Sequence, residues 1–164
     1  MEYSSAGILF QDTSTGLFLS GWNPKLQAWS GFGGRRQRKE TAWETAVREV
    51  IEELYGLRLY PRALDSILQL FSPMEFYVQS TYVCYVCPIE RVFELGQILE
   101  MFEYKSPFYK HYPRTIIELL ETRTVDTVTY PEITSLRFLD ISCKDSIDPY
   151  FKSDLQLISS ASTS

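Results

Sequence analysis

Between residues 41 and 55 the chain places Trp43, Ala46, Val47, Val50 and Leu54 at spacings of three and four, the signature of a helix with one buried face. Gly56 follows as a stop able to take the left-handed conformation. At about 3.6 residues per turn, Glu49, Glu52 and Glu53 fall within an arc of roughly 100°, on the side away from Trp43, Val47, Val50 and Leu54. Such a helix has to lay its apolar stripe on a sheet or another helix, and it then carries three acids beside that contact. Like charges at i and i+4 cost a few tenths of a kcal/mol on a helix, so the cluster calls for cations. Mg²⁺ is a natural partner, because it takes carboxylate oxygens and completes its shell with water and substrate phosphates. A solvated amphipathic face would also look like this, and the surrounding sequence has to decide between the two.

The flanks of this helix read as an α/β domain. Residues 6–10 and 17–20 suggest two strands of a hairpin, separated by the turn-rich Asp12-Thr13-Ser14-Thr15-Gly16. Residues 29–32 suggest a short strand running into Gly33-Gly34, where a tight turn is expected, and then into the basic loop Arg35-Arg36-Gln37-Arg38-Lys39. Residues 67–71 and 76–88 are rich in β-branched and aromatic residues and read as two strands joined at Ser72-Pro73. A helical pattern covers 90–102, and Pro113 suits the first turn of a third helix with Ile116, Ile117, Leu119 and Leu120 as its apolar positions. Residues 133–141 read as a last strand. The serine-rich end, residues 158–164, is expected to be disordered, which leaves one domain over 1–157. Strands before, between and after helices predict a mixed β-sheet covered on both faces, an α/β/α sandwich.

Composition closes off several functions. A net charge of −5 and a pI near 5.0 argue against a broad basic surface for nucleic acid, although a local basic patch is compatible with them. The longest apolar runs fall well short of the roughly 20 residues that span a bilayer, and no membrane partner is expected. The first residues lack the basic start and apolar stretch of a secretion signal, so an intracellular, cytoplasmic location is expected. Cys84, Cys87 and Cys143 make an odd number of thiols and no full disulfide framework. Cys84 and Cys87 lie three apart in a strand-like run and point to opposite faces, so they read as buried inert thiols and not as zinc ligands.

Counting from Gly34, the segment gives a glycine, five residues, Glu40, seven residues, and then Arg48-Glu49-Val50-Ile51-Glu52-Glu53. This resembles the Nudix box, which continues with one residue and then a glycine and an aliphatic. Here two residues, Leu54 and Tyr55, precede Gly56-Leu57, so a longer helix end or an altered left-handed cap is expected. The resemblance implies a Nudix-type fold, with 90–122 as the helical segment that varies within the family. It also implies hydrolysis of a phosphoric anhydride with Mg²⁺ or Mn²⁺. Glu49, Glu52 and Glu53 would be metal ligands, one of them able to double as the base for the attacking water, and Gly33 would lend a backbone carbonyl. Arg48 would join loop to helix through Glu40 or a neighbouring acid, and Glu132 would be an additional acid near the metals.

Two groups of residues are candidates for holding the substrate. Arg35, Arg36, Arg38 and Lys39 can neutralise phosphates, for which arginine forks are suited, or can be a solvated loop that balances nearby acids. Phe102, Tyr104, Phe108, Tyr109 and Tyr112 alternate with Lys105, Lys110, His111 and Arg114, and Tyr104, Phe108 and Tyr109 can stack a base or can be packing. The expected activity is pyrophosphohydrolysis of a nucleoside diphosphate linked to another group. Capped RNA and a diphosphoinositol polyphosphate are alternative substrates, a noncatalytic ligand sensor is the alternative of another class, and a homodimer stays open.

Overall fold

The computed structural model describes residues 2–37, 39–125 and 131–162, with the side chains of 161 and 162 excepted. Its centre is strand β1 (Ser5–Gln11), where Ala6, Ile8 and Phe10 enter one core and Leu9 enters another, as the two-residue period of a strand requires. Strands β2 (Phe18–Asn23), β3 (Ala28–Ser30) and β4 (Phe32–Arg35) follow, and then helix α1 (Ala42–Tyr55) and helix α2 (Pro61–Leu68). Next come β5 (Phe76–Gln79), β6 (Tyr82–Pro88), helices α3 (Glu90–Met101) and α4 (Ile116–Glu121), strand β7 (Ser135–Leu139) and helix α5 (Pro149–Ser162).

The seven strands form one mixed sheet. β6 runs parallel to β1 from Ser5↔Tyr82 to Gln11↔Pro88, whereas β2 and β4 pair with β1 antiparallel. β7 pairs antiparallel with β2, and β5 folds back antiparallel on β6. The larger core packs Trp43, Val47, Val50 and Leu54 of α1 against Ala6, Ile8 and Phe32, with α2, α3 and α4 around them. On the other face Phe151 and Leu155 of α5 cover Leu9, Phe18, Cys84 and Leu139. The layers are therefore those of the expected sandwich. Cys84 and Cys87 are buried on opposite faces, where burial pushes the Cys84 thiol well up and the Cys87 thiol up to about 11.

Several elements differ from the sequence reading. Residues 67–71 are not a strand: Pro61 opens α2, which buries Leu64 and Ile67 and ends at Leu68, and the turn that follows buries Phe71. Residues 76–88 are not one strand but a hairpin, which turns at Ser80 with φ +56°. The strand expected at 29–32 is broken at Gly31, where a Cβ would press on Leu9 and Phe151, so that β3 pairs with β2 while β4 crosses to β1. Pro113 precedes the cap Thr115 and lies outside α4. The helix over α5 was not expected, and residues 158–162, read as disordered tail, are its last turns. Among the described residues no helix is long and apolar enough to cross a membrane.

Candidate active site

Helix α1 starts where Thr41 accepts the Glu44 amide at 3.2 Å and ends at Gly56 with φ +69°. Its buried stripe holds it across β1 and β4, so its acids project along the end of β4. The joint between the two is Arg48. Its Nε donates to Glu40 Oε2 at 2.7 Å, Nη2 donates to Glu40 Oε1 at 3.1 Å and to the Arg35 carbonyl at 2.9 Å, and Nη1 donates to Glu49 Oε1 at 2.9 Å. Glu52 stands 3.6 Å from the same guanidinium. Burial pushes the Glu40 carboxyl up, but hydrogen bonds from Arg48 and the Gln37 amide outweigh it and leave the group below its usual range. The expected link from Arg48 to Glu40 is thus present, and it is bidentate.

Glu53 is tied separately, since its Oε1 accepts the Gly33 amide at 2.9 Å. Burial pushes the Glu53 carboxyl well up, and the neighbouring charges of Glu132 and Glu49 add to this against the Gly33 bond. Burial also raises Glu49 and Glu52, with Glu52 adding repulsion at Glu49, while Arg48 opposes both shifts and Arg58 opposes the shift of Glu52. Gly33 and Gly34 lie in β4 and do not form the expected tight turn. Their need for glycine comes from close approach: a Cβ at Gly33 would stand 2.7 Å from the Ala6 carbonyl and 2.8 Å from the Gly7 Cα, and one at Gly34 would collide with the Glu49 carboxylate.

Glu52, Glu53 and the exposed Glu132 line one side of an open cleft of about 1230 Å³. Its apolar walls come from Pro24, Leu26, Pro107, Phe108, Val125 and Pro131, and its cations are Lys25 and Arg58. Among the described residues, no three acidic, histidine or cysteine side chains converge into a ready-made metal cage. The donor chemistry nevertheless fits a hard divalent cation. The side-chain oxygens are all carboxylate, their mutual repulsion at Glu53 outweighs the one bond from the Gly33 amide, and the adjoining cleft leaves room for the water and phosphate that complete such a shell.

The expected substrate residues are mostly elsewhere. Arg35 is exposed, Arg36 lies 5.0 Å over the Tyr3 ring with its Nε on the Glu40 carbonyl, and Lys39 borders a second hollow with Glu44, Leu59 and Asp65. Arg38 falls outside the described residues. Tyr109 is 3% exposed, with its hydroxyl on the Leu119 carbonyl and its ring edge-on to Tyr55. Tyr104 packs against the core and accepts the Tyr112 hydroxyl at its carbonyl. Phe108 does reach the cleft but is 5% exposed, with the Arg123 guanidinium 4.7 Å over its ring. Phe108 and Tyr109 thus pack the interior, whereas Tyr104 is half-buried at its edge and, like Tyr109, does not line the cleft.

Lys25 and Arg58 were missed. Lys25 sits in a turn fixed by the Asn23 side chain, whose Oδ1 accepts the Lys25 and Leu26 amides at 3.0 and 3.1 Å, and Asn23-Pro24 is a turn signal that could have drawn attention to it. Arg58 has no local signal.

No family model matches the sequence, and no curated protein matches it. Among solved structures the chain is similar to a Nudix hydrolase from M. smegmatis, RenU, with a TM-score of 0.54 and 15% identity over 99% of this chain and 86% of that one. It is also similar to an Ap4A hydrolase from C. elegans in a binary complex, with a TM-score of 0.51 and 12% identity over 97% of this chain and 98% of that one. At such identities the likeness is one of fold, and the fold is the Nudix-type α/β/α sandwich.

Proposed function

We propose that the chain is a divalent-metal-dependent pyrophosphohydrolase, which splits the phosphate-phosphate bond of a nucleoside diphosphate linked to another group. The observation that carries this is the acidic face of α1: Glu49, Glu52 and Glu53 are held to β4 through Arg48 and the Gly33 amide, and Glu52 and Glu53 open with Glu132 on a cleft that also bears two cations. Glu49, Glu52 and Glu53 would hold Mg²⁺ or Mn²⁺, which would polarise the diphosphate and lower the pKa of the attacking water. Arg48 keeps Glu49 turned to the site and spans from α1 to the loop after β4, and it does so without touching substrate. One of Glu49, Glu52 and Glu53 takes the proton of the attacking water. Lys25 and Arg58 hold phosphate oxygens, and the proline-lined walls exclude solvent around the rest of the substrate.

The cap and diphosphoinositol readings draw on the basic loop and the aromatic stretch. They gain no support from the cleft, because Arg35, Arg36 and Lys39 lie outside its lining and, of the aromatic stretch, only the buried Phe108 reaches it. The test is a product analysis with Mg²⁺ across nucleotide sugars, ADP-ribose, dinucleoside tetraphosphate, capped RNA, oxidised deoxynucleotides and inositol pyrophosphates. The expected result is two phosphorylated products from one nucleotide class. Tight binding of one compound without turnover of any would replace the proposal with a ligand sensor.

A further inference from the structure

An α-helix ends with four carbonyls that find no donor inside it. The last turn of α1 contains Glu52 and Glu53, and each of its four carbonyls is met. The Glu52 carbonyl accepts the Gly56 amide at 3.0 Å, and the Tyr55 carbonyl accepts the Ser106 hydroxyl at 2.6 Å. The other two belong to Arg123, whose Nη2 donates to the Glu53 carbonyl at 2.9 Å and whose Nη1 donates to the Leu54 carbonyl at 2.5 Å. Nη2 also donates to the Ile133 carbonyl at 3.2 Å, one residue past Glu132. The guanidinium is held in place by the rings of Phe108, at 4.7 Å, and Tyr109, at 5.7 Å.

One side chain therefore grips the backbone of Glu53 and the backbone next to Glu132, two acids that reach the cleft from different elements. A planar fork with several donors can hold three carbonyls at once, whereas an ammonium on a single stem cannot hold the same set. The charge is also in its favoured place, at a helix C-terminus, and the last turn of α1 has no basic residue of its own.

We propose that Arg123 is a positioning residue of the acidic site, which fixes the distance between Glu53 and Glu132 by holding both backbones and does not itself touch substrate. This rests on the reading of those acids as the hydrolytic centre. Arg123→Gln and Arg123→Lys, made in the full chain, test it in two independent ways. In metal-free protein, amide exchange at Gly56, at Leu57 and in the peptide containing Ile133 is expected to quicken by about tenfold or more in Arg123→Gln, as a local opening would cause. With the substrate found by product analysis, kcat is expected to fall about 10- to 100-fold while KM stays within about threefold, on the scale of a small misplacement of a catalytic group. Arg123→Lys, which keeps the charge and loses the fork, is expected to recover part of kcat and to serve if Arg123→Gln does not fold. Unchanged exchange, or a kcat equal to that of the parent chain, overturns the proposal. A parent chain that hydrolyses nothing overturns the proposed function alone, because the exchange measurement needs neither metal nor substrate.

Discussion

Replacing Arg48 by Met keeps an unbranched stem inside the fold and removes the fork that joins Glu40, Glu49 and the Arg35 carbonyl. The side chains of Arg48 and Glu40 are 7% and 14% exposed, so the pair is largely shielded from water and the cost for a buried pair is an upper range. Removing one partner of a buried pair costs about 3–5 kcal/mol, because the other charge is left without compensation. A whole domain is stable by only about 5–15 kcal/mol, so Arg48→Met should fold but with much of its margin gone. At about 2–4 °C per kcal/mol for a domain of this size, the melting temperature should fall by roughly 6–20 °C. Glu40→Gln, which still accepts the Gln37 amide, completes a double-mutant cycle in which the pair should couple by at least about 1.5 kcal/mol. The assays are thermal melting for the shift and urea denaturation for the cycle, at pH 7 with a chelator present and again at pH 5, where a stranded Glu40 can take a proton and the loss should shrink. A melting temperature within about 3 °C of the parent at pH 7, or additive single effects, would refute the view that this ion pair holds α1 to the loop after β4.

Glu53→Gln should abolish hydrolysis, by at least ~100-fold in kcat under saturating Mg²⁺, while keeping the bond from the Gly33 amide. The same variant should be more stable than the parent in metal-free urea titrations at neutral pH, since it removes a buried carboxyl that burial and Glu132 push up. Arg58→Gln and Lys25→Gln should raise KM with little change in kcat, and Arg36→Gln should change neither, in initial-rate measurements on the preferred substrate. Asp154, on α5, is pushed from 3.8 up to about 7 by burial, with Asp148 adding to the effect. The folded chain thus keeps a proton that the unfolded chain releases, so this group makes stability fall as pH rises from about 4 to about 7, by at most about 4 kcal/mol. Asp154→Asn should accordingly stabilise at pH 8 and progressively less toward pH 4, and a gain that does not vary with pH in thermal melts would reject this account.

The parts of the fold that could be read in advance are those whose causes are local. The stripe from Trp43 to Leu54 and the glycine after it specify α1 because helix period and cap chemistry act within a few residues. The parts that were misread have competing local signals. Residues 67–71 are apolar enough for a strand, and the spacing of Leu64 and Ile67 after Pro61 decides for a helix that ends at Leu68 only when the window reaches back to the proline. In α5, Phe151, Leu155 and Ile158 recur at helical spacing, but the serines after them look like a tail. The cleft depended on topology. Lys25 follows β2, Arg58 follows α1 and Glu132 precedes β7, and nothing in their own neighbourhoods says that the sheet order brings them together.

The end of α1 at Leu54, Tyr55 and Gly56, one residue longer than the Nudix-box resemblance implies, shows the same division within the site. One added residue carries a helix on by about 1.5 Å and turns its end by about 100°, so the final carbonyls need donors in new places. The ties that set the acids lie earlier, at Arg48 and at the amide of Gly33, and an addition after Glu53 leaves them where they are. The cost therefore falls on the carbonyls of Leu54 and Tyr55. They are met by Arg123 and Ser106, both from the stretch between α3 and β7, while Gly56 still closes the helix in the left-handed conformation against Pro107 and Phe108. The longer helix and the stretch that caps it thus form one structural unit. Deleting Tyr55 would remove the acceptor of Ser106, shift that of Arg123 and take a fully buried ring bonded to the Val92 carbonyl out of the core, so the melting temperature should fall further than in Ser106→Ala or Arg123→Gln alone.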